Sequence, residues 1–233
     1  MALDIVMITF GEPNAERNWK KLKGRFKFAK RVDGVKGIQE AHKAAAELAD
    51  TNCFYVVDGD NDIADQFWFE YTPNKHDEQY VHIFRSINSV NRLQYGNGGV
   101  KIFNKSHFDK PIEYIDFATT VAASKIHEEI ASWTVINTTA LQAYRAGFRE
   151  AAKLTKKILG LPMSKVRGSD ELRRLNVWCT DAQHNAPYAG ECMAGAQAGA
   201  HYARAYSTDD KMFAKINDFD FIKDVFDGIR FKV

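Results

Sequence analysis

Phe54-Tyr55-Val56-Val57-Asp58-Gly59-Asp60-Asn61-Asp62 decides how this chain is read. Its aromatic and β-branched start predicts a buried strand. The strand ends abruptly in carboxylates separated by Gly and Asn. Carboxylates this close repel one another unless a cation lies between them. Asp58 and Asp60, two apart on an extended chain, project to the same side, which suits a hard divalent cation bound through oxygen. In mostly parallel sheets, ligands bind just beyond the carboxyl ends of the strands. The stretch therefore reads as a metal-diphosphate site. An ordinary Asp-Gly turn and a phosphoryl-transfer metal site are compatible with the same residues. A calcium loop of the EF-hand type is not. It needs Gly at its sixth position and Glu at its twelfth, where Ile63 and Phe69 stand.

Upstream, Leu3 to Phe10 reads as a first strand, followed by the loop Gly11-Glu12-Pro13-Asn14 and a helix from Ala15 to Lys23. Phe26 to Val32 alternates apolar and basic residues as a half-buried strand does, and stops at Asp33-Gly34. Ile38 to Ala49 has helical spacing. This β-α-β-α-β order predicts a parallel, helix-covered sheet. Downstream, strands are expected at Tyr80 to Phe84, Gly99 to Phe103, Glu113 to Phe117 and Ile130 to Ile136. Between the first two, Tyr95-Gly96-Asn97-Gly98-Gly99 reads as a glycine segment that turns sharply or lets a ligand approach the backbone. Asn137-Thr138-Thr139 offers N-cap chemistry for a helix running to about Leu159 and ending at Gly160-Leu161-Pro162. Further helices are predicted around Asp170 to Trp178 and Tyr188 to Tyr206. The small residues Ala194, Gly195, Ala196, Ala198, Gly199 and Ala200 suit tight helix packing.

At 233 residues and 45% hydrophobic, the chain can bury one sizeable core without disulfides. Its three cysteines lack C-x-x-C spacing, so neither a disulfide framework nor a structural zinc site is indicated. No apolar run approaches membrane-spanning length, and the opening strand is too short for a signal peptide. A reduced, cytoplasmic protein with no membrane partner is expected. Net charge is only +2, yet Arg17 to Arg31 holds Arg17, Lys20, Lys21, Lys23, Arg25, Lys27, Lys30 and Arg31 with no acid among them. A second basic stretch holds Lys153, Lys156, Lys157, Lys165, Arg167, Arg173 and Arg174, while the C-terminal tail leans acidic. Such blocks read either as a local surface for polyanions or as solvated helix faces.

Three strand ends in order, Thr9-Phe10-Gly11, Val32-Asp33-Gly34 and Asp58-Gly59-Asp60, resemble the GT-A fold of nucleotide-sugar glycosyltransferases over residues 1 to about 105. The resemblance implies an α/β architecture with a mixed, mostly parallel sheet covered by helices and a helical C-terminal part. It implies one catalytic domain over 1–233, with residues 1–105 binding the nucleotide sugar and 106–233 forming the acceptor side. By the same resemblance Asp33 contacts the base and Thr9, Phe10 and Gly11 flank it. Asp58 and Asp60 hold Mn²⁺ or Mg²⁺ on the diphosphate of a UDP-sugar, and Gly98 and Gly99 lie beside the donor sugar. A metal held by two carboxylates offsets charge on the departing diphosphate, and a cation such as Lys101, Arg145 or Arg149 can assist. The bland alternative for Arg145 and Arg149 is surface pairing one helical turn apart.

The segments Ser132-Trp133-Thr134, Asn137-Thr138-Thr139, Tyr144-Arg145-Ala146-Gly147-Phe148-Arg149-Glu150, Trp178-Cys179-Thr180 and Gly195-Ala196-Gln197-Ala198-Gly199 are similar to a narrower group. These are small glycosyltransferase-like proteins encoded by tailed phages, a group that includes enzymes adding a sugar to hydroxymethylated pyrimidines in phage DNA, such as hydroxymethylcytosine arabinosyltransferases. That similarity implies a hexosyl- or pentosyltransferase acting on double-stranded DNA in the host cytoplasm. The basic blocks fit a duplex acceptor independently. A carboxylate base for the acceptor hydroxyl, if the reaction inverts, is assigned first to Asp116, with Asp170 or Glu150 as replacements. His184, His201 and Asp218 are candidates to complete a metal shell. A cell-surface glycan as acceptor, or a non-catalytic DNA-binding protein with a GT-A-like shell, remain the alternatives.

Overall fold

The computed structural model of the chain describes residues 2–109 and 122–230. The chain gathers into two compact units, Met1–Ile87 with Gln94–Val135 and Asn88–Leu93 with Ile136–Val233. The first is built on a seven-stranded sheet. In chain order it contains β1 (Asp4–Thr9), α1 (Ala15–Arg25), β2 (Lys30–Asp33), α2 (Ile38–Leu48), β3 (Cys53–Asp58), β4 (Asn61–Ile63), β5 (Val81–Asn88), β6 (Gln94–Asn104) and β7 (Ser124–Thr134). The strands lie in the order β2-β1-β3-β6-β5-β7-β4.

Alternation along β1 and β3 sends side chains to two apolar layers. Ile5, Met7, Tyr55 and Val57 join Leu22 and Phe26 near α1 together with Phe67, Phe69 and Phe84. Val6, Phe54 and Val56 join Ala45 and Ala46 of α2 together with Phe103 and Phe108. Each large side chain buried this way contributes about 1.5–3 kcal/mol relative to exposure. With both faces covered, the central strands read as continuous apolar runs, and polar residues collect where the strands end.

Register places those ends together. β1 pairs in parallel with β2 through Thr9 and Asp33, and with β3 through Ile8 and Asp58. Beyond β3 the direction changes. β6 runs antiparallel to β3, with Val100 opposite Val57 and Lys101 opposite Val56. β5 is antiparallel to β6 and β4 to β7. The sheet is therefore mixed, but not mostly parallel as expected: the β2-β1-β3 pairs are parallel, and the β3-β6, β6-β5 and β4-β7 pairs are antiparallel. A parallel neighbour needs a crossover element; α1 and α2 supply two, whereas β5 and β6 are joined by a short connection and fold back as a hairpin.

The glycine segment is a second difference. Tyr95 to Gly99 is strand rather than loop, forming the first half of β6, with a register irregularity opposite Phe84 and Ser86. Within it Gly98 takes the left-handed conformation, at φ 81°. The strand expected at Ile130 to Ile136 starts earlier and ends earlier, at Ser124–Thr134. The strand expected at Glu113 to Phe117 lies outside the described residues.

The second unit is helical: α3 (Ala140–Leu159), α4 (Asp170–Thr180), α5 (Ala189–Tyr206) and α6 (Phe219–Arg230), with one-turn helices at Met163–Val166 and Asp210–Phe213. Thr139 caps α3, its hydroxyl accepting from the Gln142 amide at 3.1 Å. Ser169 does the same for α4, accepting from Leu172 at 3.2 Å. α3 and α5 meet backbone to backbone. A methyl group added at Gly147 would stand 2.1 Å from the Cys192 carbonyl oxygen, one at Gly195 2.1 Å from that of Tyr144, and one at Gly199 2.0 Å from that of Phe148. The acidic tail is also structured. Ile222 and Phe226, one turn apart on α6, are buried, while the Asp218 carboxylate accepts from the Asp220 and Phe221 amides at 3.0 and 3.1 Å. No helix among the described residues is long and apolar enough to cross a membrane.

Candidate functional site

Three loops leave the carboxyl edge of β1, β2 and β3. Gly11 and Gly34, at φ 76° and 72°, turn the first two. The Thr9 hydroxyl donates to the Asp33 carboxylate, and Arg31 reaches both, with Nε 3.0 Å from Thr9 Oγ1 and a terminal nitrogen 3.3 Å from Asp33 Oδ1. Asp33 and Phe10 are exposed. Thr9, Phe10, Gly11 and Asp33 thus share one rim, as their strand-end positions suggested.

Asp58 ends β3 and is half-exposed, but its carboxylate is engaged from inside the protein. Lys101 Nζ donates to both oxygens, at 2.8 and 3.0 Å. Lys101 faces Val56 across the strand pair, so it shares a face with Asp58 two residues further on. Only 4% of Lys101 is exposed. His42 of α2 is buried beside it and held neutral: burial, then the Lys101 charge, pull its pKa down to about 3. Its Nδ1 lies 2.7 Å from the Ile38 carbonyl oxygen and so carries the proton.

Asp60 lies in the same charge cluster. Burial pushes its pKa up to about 7, reinforced by the negative charges of Asp58 and Glu12 and opposed by a hydrogen bond from Asn61 and by Lys101. Glu12 also accepts from the Phe10 amide at 2.7 Å. A methyl on Gly59 would stand 2.8 Å from the Glu12 carboxylate and 2.9 Å from the Thr9 methyl, so a side chain there would displace Glu12 from its present place. The loop backbone is pinned from α1 and the turn before it. Asn18 donates to the Gly59 carbonyl at 2.9 Å and Asn14 to the Asp60 carbonyl at 3.4 Å. Asp62 turns away, paired to Lys21 at 2.8 Å.

Gly98 and Gly99 bring β6 against this cluster. A methyl on Gly99 would stand 2.2 Å from the Asn61 side-chain oxygen. Lys101, Asp58, Asp60, Gly98, Gly99 and the Thr9–Asp33 rim therefore all belong to the sheet unit. The remaining described candidates do not. Arg149 donates to Asn217 at 2.9 Å and the Arg145 guanidinium lies 3.8 Å from the Phe219 ring centroid, both within the helical unit. There Glu150 pairs with Lys153. Asp170 pairs with Arg173 and Arg174 at 2.6 and 2.9 Å, beside an open groove lined by Arg167, Ser169 and Asn176. His184 and His201 are exposed, and Asp218 is a helix cap. Asp116 lies outside the described residues. Glu12, Asn14, Asn18 and Asn61 are the residues that strand-end reading passed over. The Pro-Asn signal before α1 marked a turn, but nothing local tied it to the Asp58–Asp60 loop.

The basic blocks are largely paired. Lys20 meets Glu16 at 3.7 Å, Lys21 meets Asp62 and Asp65, Lys30 meets Asp50 at 2.7 Å, and Arg31 meets Glu16 at 2.8 Å. Arg25 is spent on the carbonyls of Ala64, Asp65 and Phe67. In the second block, Lys156 meets Asp210 at 2.9 Å.

Among the described residues, no three His, Cys, Asp or Glu side chains form a ready metal cage. The donor set nevertheless fits a divalent cation of the Mg²⁺ or Mn²⁺ type. Three carboxylates, Glu12, Asp58 and Asp60, stand against one ammonium, which leaves an excess of negative charge when all are ionised. Such cations are typically held by one or two carboxylates plus substrate phosphates rather than by an all-protein cage. No known protein family matches the sequence, and no curated protein is significantly similar to it.

Proposed function

We propose that this chain is a metal-dependent glycosyltransferase of the GT-A kind that moves a sugar, arabinose or glucose, from a UDP-sugar to hydroxymethylcytosine in DNA. One observation carries the donor half of this reading. The parallel strands run in the order β2-β1-β3, so the strand order reverses between β1 and β3, and Asp58, with the loop that carries Asp60, stands at the carboxyl ends of that pair. Ligands of open α/β sheets bind at such switch points, outside the carboxyl ends of the strands.

The chemistry follows from the residues. The bond between the sugar anomeric carbon and the diphosphate oxygen breaks, and its electron pair stays with UDP, where negative charge grows. The acceptor hydroxymethyl oxygen bonds to the anomeric carbon as its proton passes to a carboxylate base or to water. Lys101, already fixed by Asp58, presents a preorganised ammonium toward that charge. Asp58 and Asp60 would hold Mn²⁺ or Mg²⁺, which supplies further charge neutralisation to the diphosphate. Asp33, steadied by Thr9 and Arg31, offers a carboxylate acceptor to the N–H of a base or to ribose hydroxyls. The acceptor half rests on the resemblance to phage DNA-modifying enzymes. A glycan acceptor is the second reading, favoured by the pairing of most residues of the basic blocks with acids, which thins the cationic surface a duplex would use.

A thermal-shift screen of nucleotide sugars with Mn²⁺ tests the donor half. A true donor at a hundred times its dissociation constant adds about 2.7 kcal/mol of stability. Transfer assays on hydroxymethylated DNA and on saccharides then separate the two acceptors. Asp58→Ala is expected to abolish transfer; full transfer by that variant, or in excess chelator, overturns the metal assignment.

A further inference from the structure

We propose that Asn61 is a positioning residue that orients the Asp60 carboxylate toward its cation, an inference that rests on the metal-diphosphate reading of that pair. Along Asp60-Asn61-Asp62 the side chains diverge: Asp60 lies in the charge cluster, Asp62 pairs with Lys21, and Asn61 is buried, 1% exposed, against β7. Its Nδ2 donates to Asp60 Oδ1 at 2.7 Å. Its Oδ1 accepts from Ser132 Oγ at 2.7 Å and Thr134 Oγ1 at 3.1 Å, both from β7. Thr134 Oγ1 is also 3.1 Å from Ser86 Oγ on β5. An ionised carboxylate can only accept, so the amide nitrogen belongs on the Asp60 side and the amide oxygen faces the hydroxyls.

This chain of bonds fixes the amide in two ways. Two hydroxyls hold its oxygen, and Gly99 presses on it from β6, where even a methyl would overlap it at 2.2 Å. The amide cannot swing without losing buried hydrogen bonds. Asp60 Oδ1 is thereby tied down, and Oδ2 is the oxygen left to face a ligand. Outer-shell groups of this kind set the direction and basicity of a ligating carboxylate.

The test uses the full chain, with Mn²⁺ and UDP as the probes and calorimetric titration as the readout. Asn61→Ala is expected to raise the Mn²⁺ concentration that half-saturates UDP binding roughly tenfold, with UDP affinity at saturating Mn²⁺ unchanged. Ser132→Ala keeps the amide and removes one of its two anchors; it should raise the same value about threefold, and it carries the test if Asn61→Ala fails to fold. Unchanged Mn²⁺ dependence in the folded variants, while the wild type shows Mn²⁺-dependent UDP binding, overturns the role of Asn61 and leaves the glycosyltransferase reading standing. A uniform loss of UDP affinity at every Mn²⁺ concentration assigns Asn61 to the fold alone and also overturns it. No Mn²⁺-dependent UDP binding by the wild type removes the donor-site reading and this inference with it.

Discussion

The sheet unit and the helical unit cohere internally by opposite means. The helical unit brings α3 and α5 into backbone contact at three glycines, Gly147, Gly195 and Gly199, where there is no room for a single extra carbon. The sheet unit, at its functional edge, relies on buried polar groups that satisfy one another: Lys101 with Asp58, and Asn61 with Asp60, Ser132 and Thr134. The first arrangement is sensitive to volume and indifferent to charge. The second tolerates shape changes only while each donor keeps its acceptor, because an orphaned buried polar group costs more than a satisfied one contributes. A site that must bind charge belongs on the second kind of scaffold.

Volume should matter most. Gly199→Val would push side-chain atoms into the Phe148 backbone, which cannot move aside, and is expected to cost about 4 kcal/mol or more. Circular dichroism of thermal unfolding reads it as loss of the helical signal. Gly190 is the control, since a methyl there meets nothing within 4 Å. Gly190→Ala on the same helix should stabilise by up to about 1 kcal/mol. Equal tolerance at both positions would erase the contrast between the units.

Charge burial comes next. The Asp60 pKa is raised in the folded protein, to about 7, so the native state holds a proton that the unfolded chain gives up near its ordinary carboxylate value, about 4. The stabilisation tied to that proton is complete below the unfolded pKa and is lost as pH rises through the folded one. Its span from about pH 4 to about pH 7 is on the order of 3 kcal/mol. Asp60→Asn should flatten this slope in urea unfolding over the same range, and an unaltered slope would remove Asp60 as its source.

The smallest of the three effects is the most informative about the sheet edge. Asp58→Asn leaves the Lys101 ammonium buried without its carboxylate, but it also relieves repulsion on Asp60. A net loss of about 2 kcal/mol is expected, below the cost of a fully enclosed orphan because Asp58 is half-exposed. Adding Lys101→Met should recover most of it. If the double variant is no more stable than the single one, the pair does not hold this edge together.

Much of the sheet unit was legible locally. The apolar runs of β1 and β3, the helical spacing of α1 and α2, and the Asp-Gly endings are enough to place Thr9, Asp33, Asp58 and Asp60 at strand ends. Thr139 and Gly160 bracket α3 as cap chemistry predicts. Of the two readings of the glycine segment, the sharp turn gives way to strand because Gln94 and Tyr95 pair with Ile87 and Ser86 of β5, while the close approach of backbone is seen at Gly99 beside Asn61. In the first basic block, Asp62, Asp65, Asp50 and Glu16 pair with Lys20, Lys21, Lys30 and Arg31, and only the fold brings the first three of those acids alongside.

Neighbouring residues alone dictate the buried apolar strand that ends at Asp58 and the Asp-Gly turn chemistry that follows it at Gly59 and Asp60. Long-range packing was needed to bring Lys101 between those aspartates and the interior, to add Glu12 to the cluster, and to hold Asn61 with Ser132 and Thr134. Those partners sit up to 73 residues away. Pairing over such distances is set by strand register and by the demand that buried polar groups find partners, and neither is written in adjacent positions of the chain.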